Sequence, residues 1–275
     1  MEKLIVSCVQ FAYKQIESFE DFAKNVENLL NQADGSDFVV FPETLTLELQ
    51  YLIPNNNLNK IPEFTEKYRN LFARLSREKG QYIIGGSHLT IENGKEYNIG
   101  YIFCPDGKLL KHRKTHLFPL EASMGVTPGN TLEIFKTEKA NIGLAICYEI
   151  EFPEVARTLT LKGVDVIFCP SYTIGEAGFW RVRHCCQARA IENQIYILHS
   201  CLVGESPHKG MEGWGRSSIL SPCESPWNPN GIIAEAKTNE EMVITGELDL
   251  KVLHKKRKRG AATTLKDRRP EIYKI

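Results

Sequence analysis

One stretch of the chain predicts a buried strand, a turn and a helix start in succession. It reads Asn141-Ile142-Gly143-Leu144-Ala145-Ile146-Cys147-Tyr148-Glu149-Ile150-Glu151-Phe152-Pro153-Glu154. Residues 142–146 are apolar or small, which is the pattern of a buried strand. A polar turn follows, and Pro153 with Glu154 then marks a helix start, because proline and carboxylates are both favoured in the first helical turn. Cys147 is therefore predicted to lie in the turn between a buried strand and a helix.

A cysteine in this position has two interpretations. Backbone N–H groups and a helix amino terminus lie near such a turn, and both stabilise a thiolate and a developing oxyanion. The alternative is a small buried hydrophobic side chain at a strand end, which is the commoner role of a single cysteine in an intracellular chain. Two other stretches of the sequence decide between them.

The first is Val39-Val40-Phe41-Pro42-Glu43-Thr44, a hydrophobic strand that ends in a carboxylate. The second is Lys111-His112-Arg113-Lys114-Thr115-His116-Leu117-Phe118-Pro119, a polar strand that carries a lysine into a loop. With the order Glu43, Lys114, Cys147, these motifs resemble the nitrilase, or carbon–nitrogen hydrolase, superfamily, and within it the Nit-like amidases. The family's motifs are F-P-E, a K-x-H-L-F type stretch and a C-Y-(D/E) segment.

The resemblance extends over nearly the whole chain and implies a fold. Proteins of this superfamily are α/β, four-layer α-β-β-α sandwiches with two face-to-face sheets between outer helices. The resemblance also implies a homodimer or a larger even oligomer, with helices 153–162 and 179–193 at the interface. We expect one domain over residues 1–275. The further motifs are Gly85-Gly86-Ser87, Lys162–Ile167 with Pro170-Ser171, Arg189-Ala190-Ile191-Glu192-Asn193 and Arg268-Arg269-Pro270-Glu271-Ile272-Tyr273.

The resemblance also implies a division of catalytic labour. Cys147 would be the nucleophile of a covalent route, which divides one difficult step into two. Glu43 would be the general base, and Lys114 with the backbone N–H of Tyr148 would stabilise the oxyanion. Glu121 corresponds to the family's second glutamate and would hold Lys114 or the substrate; a plain loop carboxylate is the alternative.

One residue departs from the family pattern. Many relatives that act on small carboxylate amides have Cys-Tyr-Asp-x-Arg-Phe-Pro-Glu, and this chain has Glu151 where they have arginine. An ω-amide of a keto acid therefore does not transfer simply as the substrate. The alternative is that Glu151 is a solvated turn residue.

Composition limits the possible partners. The chain has 275 residues, 42% of them hydrophobic and 25% charged, and its formal net charge is zero, so nothing indicates nucleic acid or a membrane surface. Its amino terminus lacks the long apolar segment of a secretory signal. The eight cysteines are scattered without a C-x-x-C pair, which favours free thiols in a reducing cytoplasm and neither a disulfide framework nor a metal site. We expect no cofactor.

Strand and helix signals alternate, as in α/β layered folds. Ser18 is predicted to begin a helix with Asp21 in a capping-box contact. The turn Pro105-Asp106-Gly107-Lys108 predicts a hairpin that brings Lys114 to its end. Residues 48–60 are Asn-rich and predict a loop near the site. Further predictions are strands at 132–135 and 140–146 and helices at 62–79, 153–162, 179–193 and 248–259.

Other candidate sites are weaker. His112, His116 and His184 could indicate a Cys–His hydrolase, although a histidine in a basic hairpin is usually a surface residue. Cys185 and Cys186 could indicate redox chemistry, but adjacent helical residues point to different faces, which favours packing. The basic run Lys255–Arg259 could bind nucleic acid or anionic lipid, but a solvated helix end is the commoner case.

The predicted function is hydrolysis of a carbon–nitrogen bond in a small linear amide or carbamoyl compound through a cysteine thioester. An acyl transferase on the same Glu-Lys-Cys site is the rival within the enzyme class, and a nitrile is the less favoured substrate. A non-catalytic binding or scaffold protein on the same fold is the alternative from another class. The intact Glu43, Lys114 and Cys147 favour the enzyme.

Overall fold

The computed structural model describes residues 3–273. Residues 1, 2, 274 and 275, which the predicted domain 1–275 includes, lie outside that range. The strands are β1 Lys3–Ala12, β2 Phe38–Val40, β3 Tyr82–Glu92, β4 Lys95–Phe103, β5 Leu109–Arg113, β6 Phe135–Lys136, β7 Asn141–Leu144, β8 Val166–Tyr172, β9 Tyr196–Val203, β10 Ser218–Leu220, β11 Ile232–Glu235 and β12 Met242–Asp249. The α-helices are α1 Phe19–Gln32, α2 Thr65–Lys79, α3 Pro119–Ser123, α4 Pro153–Leu161, α5 Gly175–Asn193 and α6 Leu250–Arg259.

The strands form two sheets. The first has the order β12-β1-β2-β3-β4-β5, in which β1, β2 and β3 are parallel and the remaining pairs are antiparallel. The second has the order β6-β7-β8-β9-β10-β11, with β7, β8 and β9 parallel. The carboxyl end of β1 also pairs with β9, through Phe11 with Leu202 and Ala12 with Val203, so that β1 belongs to both sheets.

Three hydrophobic layers hold these sheets and helices together. Helices α1 and α2 pack on the outer face of the first sheet, and α4 and α5 pack on the outer face of the second. Between the sheets lies a third cluster, in which the rings of Phe38 from β2 and Phe168 from β8 are 5.6 Å apart. Neighbouring residues of β2 alternate between layers, because successive side chains of a strand point to opposite faces. The predicted α-β-β-α sandwich is confirmed.

Local signals correctly predicted the starts of α1 and α4. Ser18 caps α1 as predicted, with its Oγ accepting from the N–H of Asp21 and the Asp21 carboxylate accepting from the N–H of Ser18. Pro153 occupies the first turn of α4, also as predicted. The predicted helix 62–79 begins three residues later as an α-helix, since residues 58–64 form a 3-10 helix that contains Pro62.

Two predicted segments were wrong. The predicted loop 48–60 consists largely of short 3-10 helices, and Glu48 within it is fully buried. The predicted strand 132–135 is reduced to β6, which begins at Phe135, because pairing with β7 covers only two residues. Helix α5 also begins four residues earlier than predicted, at Gly175, a glycine in the left-handed conformation.

The basic run Lys255–Arg259 is not a free helix end. Arg257 donates to the carboxylate of Asp165 at 2.8 Å and to the Val164 carbonyl at 2.9 Å. Lys256 pairs with Glu224 at 3.1 Å. These contacts tie α6 to the segments beside the second sheet. The interpretation as a solvated helix end is therefore confirmed for the exposed Lys255, Lys258 and Arg259 and is wrong for Lys256 and Arg257. Within residues 3–273, no helix is long and apolar enough to cross a membrane.

Candidate active site

Cys147 follows β7 by three residues and begins a 3-10 helix, Cys147–Glu151, that leads into α4. Its backbone adopts the left-handed conformation, with φ of 47°, which is uncommon for a residue with a side chain. The side chain is 7% exposed. The N–H groups at the start of a helix have no partner within it. The backbone N–H of Tyr148 is one of these, as the predicted oxyanion role requires.

Glu43 lies three residues after β2, in a loop that passes close to β3. A Cβ atom on Gly86 would come within 1.9 Å of the Pro42 carbonyl oxygen, so only glycine allows this approach. The neighbouring Ser87 Oγ then accepts from the N–H of Thr44 at 3.1 Å. The Gly-Gly-Ser motif therefore fixes the loop that carries Glu43, whose side chain is almost fully buried.

Lys114 follows β5 directly, at the end of the predicted hairpin, and is 1% exposed. Its Nζ donates to Glu43 Oε1 at 2.7 Å and to Glu121 Oε2 at 2.5 Å. Glu121 lies in the first turn of α3 and also accepts from the N–H of Phe118 at 2.9 Å. The Glu121 carboxylate is thus part of the cluster around Lys114, as the resemblance implies.

Asn98 belongs to this cluster and was not predicted from the sequence. Its Nδ2 donates to Glu43 Oε1 at 3.1 Å and to Glu121 Oε1 at 2.8 Å. The signal that could have revealed it is the hairpin register. The ladder pairs Ile99 with Arg113, and it continues as the N–H of Lys114 donates to the Asn98 carbonyl at 2.9 Å. The hairpin register therefore places the Asn98 amide opposite Lys114, and this could have been predicted from the sequence.

Tyr172, at the end of β8, connects Glu43 with Cys147. Its N–H donates to Glu43 Oε2 at 3.0 Å, and its carbonyl oxygen lies 3.6 Å from Cys147 Sγ. One peptide segment thus holds the carboxylate on one side and the thiol on the other. The Glu43 oxygens accept from Lys114, Asn98 and Tyr172, so the carboxylate orientation is fixed.

Burial and charge set the protonation states of the cluster. Burial, reinforced by Glu43, raises the pKa of the Cys147 thiol well above its usual value, although Lys114 opposes this. Burial also raises the pKa of Glu43 against the opposing charge of Lys114. Burial lowers the pKa of Lys114, but Glu43 and Glu121 outweigh it and the net direction is upward. The resting site therefore has a neutral thiol beside a charged ammonium.

The Arg-Ala-Ile-Glu-Asn motif of α5 supports the nucleophile turn. Arg189 donates through Nε to the Ile150 carbonyl at 3.1 Å and through Nη2 to the Glu151 carbonyl at 2.9 Å. The guanidinium thereby satisfies carbonyl groups at the end of the 3-10 helix that begins at Cys147. The motif thus holds in place the turn that carries the predicted nucleophile.

The side chain of Glu151 is not a solvated turn residue. It is 14% exposed, and its two oxygens accept from Arg181 Nε at 3.0 and 2.8 Å. Both residues line the cavity that holds the cluster. The Arg181 guanidinium of α5 therefore lies beside the position where relatives have arginine. In this chain it is paired with the Glu151 carboxylate.

The cavity has a volume of about 350 Å³ and opens to solvent. Its polar end contains the side chains of Glu43, Lys114, Glu121 and Cys147. Much of the remaining wall is apolar: Leu47, Leu58, Leu89, Phe118, Leu120, Met124, Val126, Ile174 and Met211. In the described part of the chain, no group of three or more His, Cys, Asp or Glu side chains is arranged to hold a metal ion.

The three candidate histidines have partners other than Cys147 among the described residues. His112 is buried in an ion pair with Glu149, so its interpretation as a surface residue was wrong. His116 stacks on Phe152, with ring centroids 4.2 Å apart, and His184 stacks on Trp180. Cys186 is buried in the core of the second sheet, as expected for packing.

The carbon–nitrogen hydrolase family profile matches residues 5–258. The chain belongs to this family. It is 41% identical over 279 residues to the probable hydrolase YhcX of Bacillus subtilis strain 168, covering 98% of this chain and 54% of that relative. The chain therefore spans about half the length of that protein.

Two further comparisons agree. The carbon–nitrogen hydrolase is 31% identical over 289 residues to the omega-amidase NIT2 of Xenopus tropicalis, covering 100% of this chain and 98% of the relative. This similarity supports the Nit-like branch. The crystal structure of a carbon–nitrogen hydrolase from Helicobacter pylori G27 superposes with a TM-score of 0.81 at 22% identity, over 99% of this chain and 97% of that one. That likeness shows the shared fold.

Proposed function

We propose that this carbon–nitrogen hydrolase cleaves a small linear amide or carbamoyl compound through a thioester on Cys147. One observation carries the proposal: the buried Glu43 and Lys114 and the half-buried Glu121 form a hydrogen-bonded cluster at the same cavity as Cys147. A binding or scaffold protein gains nothing from two carboxylates and an ammonium buried beside a thiol, since burying charged groups is costly. The similarity to an omega-amidase supports amide chemistry.

In the first half-reaction, Cys147 Sγ attacks the amide carbonyl carbon while Glu43 accepts the thiol proton. This assistance is needed because the thiol pKa is raised and little thiolate exists at rest. The charge on the tetrahedral oxygen is stabilised by Lys114 and the N–H of Tyr148. Glu43 then passes the proton to the leaving nitrogen, the C–N bond breaks, and an amine or ammonia departs.

In the second half-reaction, Glu43 removes a proton from water as the water oxygen attacks the thioester carbonyl. The C–S bond then breaks, the carboxylic acid product forms, and the proton returns to the sulfur. The raised pKa of Glu43, caused by its burial, suits a residue that must accept and release a proton in each half-reaction.

Glu121 and Asn98 act by positioning. Glu121 holds the Lys114 ammonium at 2.5 Å, and Asn98 bridges Glu121 with Glu43. A lysine held from both sides by carboxylates stays charged and keeps one orientation. The role of Glu121 is therefore to keep Lys114 in place rather than to exchange a proton with the substrate.

The cavity limits the substrate class. A volume of about 350 Å³ lies at the small end of the range for small-molecule sites, and the apolar wall favours an aliphatic body. Glu151 stands where the family motif has arginine, and it is paired with Arg181, so that the charge of this guanidinium is already balanced by a carboxylate. An acyl transferase remains the second candidate, since the same thioester could pass its acyl group to an amine that enters the open cavity.

The test is a screen of small amides, N-carbamoyl amino acids and nitriles for ammonia release. Cys147→Ala is the blank, and amine acceptors are added in parallel to detect acyl transfer. We expect ammonia release from aliphatic amides by the wild type and none by the blank. Equal release by both proteins, or no release from any compound, would contradict the proposal.

We also propose a cytoplasmic, homodimeric protein whose residues 1–275 act as one catalytic domain. The absence of disulfide pairs among the described cysteines is compatible with a reducing compartment. Apolar side chains on the outer helices and the tail are exposed, which supports association: Leu161 of α4, Ile191 of α5, and Ile272 with Tyr273.

A further inference from the structure

A buried ion pair lies beside the active site and has no part in the two half-reactions. His112 Nε2 contacts both carboxylate oxygens of Glu149 at 3.0 Å each. The side chains are 2% and 0% exposed. An isolated carboxylate at such a position would be strongly destabilising, so His112 allows Glu149 to be buried as a charged group.

Glu149 accepts further hydrogen bonds from two separate segments. Its Oε1 accepts from the N–H of Thr115 at 2.8 Å and from Thr115 Oγ1 at 2.6 Å. Its Oε2 accepts from the N–H of Ile146 at 2.7 Å. Thr115 directly follows Lys114, and Ile146 directly precedes Cys147. One carboxylate thus holds the peptide beside the lysine and the peptide beside the thiol.

The Glu149 carboxylate connects two segments that no strand pairing of the described residues connects. Lys114 follows β5, which pairs with β4 at the edge of the first sheet. Cys147 follows β7, which pairs with β6 and β8 in the second sheet. The relative position of the two segments therefore depends on contacts between the sheets, and the Glu149 carboxylate is a direct contact of this kind.

Resting on the proposed function, we propose that Glu149, held by His112, is a positioning residue that sets the placement of the Lys114 ammonium relative to Cys147 Sγ. Glu149 does not touch the reacting atoms. Its contribution is geometric, and displacements of about 1 Å far from the chemistry can cost about a hundred-fold in rate.

The electrostatics of the pair support the same conclusion. Burial alone would raise the pKa of Glu149, but the charge and hydrogen bonds of His112 and the bonds from Thr115 outweigh it and lower the pKa. Burial would lower the pKa of His112, but Glu149, assisted by Glu133, raises it. The carboxylate therefore stays ionised and can accept all of these bonds together.

Two variants test the link from opposite sides. Glu149→Gln leaves one acceptor oxygen where two are used. Thr115→Val keeps the backbone N–H bond and removes the hydroxyl, which donates to Glu149 and also lies 2.9 Å from His116 Nδ1. We expect kcat to fall about ten- to a hundred-fold in Glu149→Gln and about three- to ten-fold in Thr115→Val, with KM within about threefold of wild type. Thr115→Ser keeps the hydroxyl and should restore kcat to near the wild-type value.

A second readout does not depend on turnover. Lys114 opposes the raised pKa of the Cys147 thiol, so moving the ammonium away should slow alkylation of Cys147 by iodoacetamide. The exposed Cys223 is the internal reference in the same sample. We expect the ratio of Cys147 to Cys223 labelling to fall several-fold in Thr115→Val and to recover in Thr115→Ser.

Glu235→Gln is the control for a merely structural effect. Glu235 pairs with Arg183 and Arg216, away from the cavity, and its loss should lower the melting temperature without changing kcat per folded enzyme or the labelling ratio. Equal kcat, KM and labelling ratio in Thr115→Val and Thr115→Ser would overturn the inference. If the wild type hydrolyses no amide but the ratio still falls in Thr115→Val, the proposed function fails and the positioning role stands.

Discussion

The ammonium of Lys114 lies 2.7 Å from the Glu43 carboxylate, and both side chains are at most 5% exposed. The two groups therefore set each other's charge state. Lys114 limits the rise in the pKa of Glu43, and Glu43 keeps Lys114 protonated. In the proposed mechanism Glu43 is the base and Lys114 the oxyanion donor. Because the two are in direct contact, substituting either one should change more than its own step.

Lys114→Ala should lower kcat about a hundred- to a thousand-fold, because one oxyanion donor is lost and Glu43 is left buried without its counter-charge. Lys114→Arg should also fail, since a planar guanidinium does not fit the contacts of a compact ammonium. Steady-state kinetics on any amide cleaved by the wild type measures both. Turnover near the wild-type rate in Lys114→Ala would mean that the cluster is misassigned.

Glu43→Gln should stop turnover by removing the base for both half-reactions. Any thioester that forms should persist, because no group remains to activate water, and should appear as a mass adduct on Cys147. Intact-protein mass spectrometry after incubation with substrate detects the adduct, and Cys147→Ala is the matched control. Rapid hydrolysis by Glu43→Gln would remove Glu43 from the mechanism.

Cys147 should be alkylated first among the eight cysteines. The cavity gives a small reagent access to the thiol, and in the proposed mechanism Glu43 accepts its proton during attack. Brief, substoichiometric iodoacetamide followed by peptide mass spectrometry tests this. Label mainly on Cys185, Cys186 or Cys223 would count against the nucleophile. Cys147→Ser should be nearly inactive, since Glu43 is a poor base for an alcohol.

The burial of Glu48 should make the free energy of unfolding depend on pH, independently of catalysis. Burial raises its pKa from 4.5 to about 8, and its Oε2 has no hydrogen-bond partner. The unfolded chain ionises this carboxyl near pH 4.5 and the folded chain near pH 8, so its contribution to stability is lost as pH rises between these values. At about 1.4 kcal/mol per pKa unit the upper bound is about 5 kcal/mol.

Glu48→Gln keeps the acceptor for the N–H of Lys14 and removes this ionisation. Its free energy of unfolding should equal or fall below that of the wild type at pH 5 and exceed it by at least ~1 kcal/mol at pH 9. Urea denaturation across this range measures the difference. Glu247→Gln, at an exposed ion pair, is the control and should not reproduce the trend. A difference that does not change with pH would exclude an ionising Glu48.

Ile191 lies exposed on α5, within the surface proposed for dimerisation. Ile191→Asp should shift a dimer to monomer, since a charge buried in an apolar interface is costly. Ile91→Asp is the matched control, because Ile91 is also an exposed isoleucine but lies on β3 of the first sheet. Light scattering at micromolar concentration measures both. A monomeric wild type would count against the dimer.

The sequence predicted the parts of the site that lie next to strong local signals. Glu43, Lys114 and Cys147 each follow a strand at a motif, and the structure brings Glu43 and Lys114 into contact and Cys147 to the same cavity. Asn98 and Glu149 were missed as site residues because their roles come from distant partners. The partners of Asn98 are 23 and 55 positions away, and those of Glu149 on the lysine segment are 34 and 37 positions away. Such contacts depend on how the strands and sheets pack.

The same dependence explains the misread surface residues. His112 and Arg257 lie in basic runs, where local composition indicates solvent. His112 is buried and Arg257 is half-buried, because a distant carboxylate, Glu149 or Asp165, compensates the charge of each. The residues next to a histidine or arginine in the sequence do not indicate which distant carboxylate contacts it in the folded protein.

The contact between Phe38 and Phe168 in the inter-sheet layer has a consequence for how this enzyme can vary. Glu43 and Lys114 follow strands of one sheet, and Cys147 follows a strand of the other. The thickness of the hydrophobic layer between the sheets therefore sets the distance between the proposed base, the proposed oxyanion donor and the proposed nucleophile. A volume change such as Phe168→Leu alters the spacing of reacting atoms without touching them. Substitutions that change kcat should therefore occur in the hydrophobic layer between the sheets as readily as around the cavity.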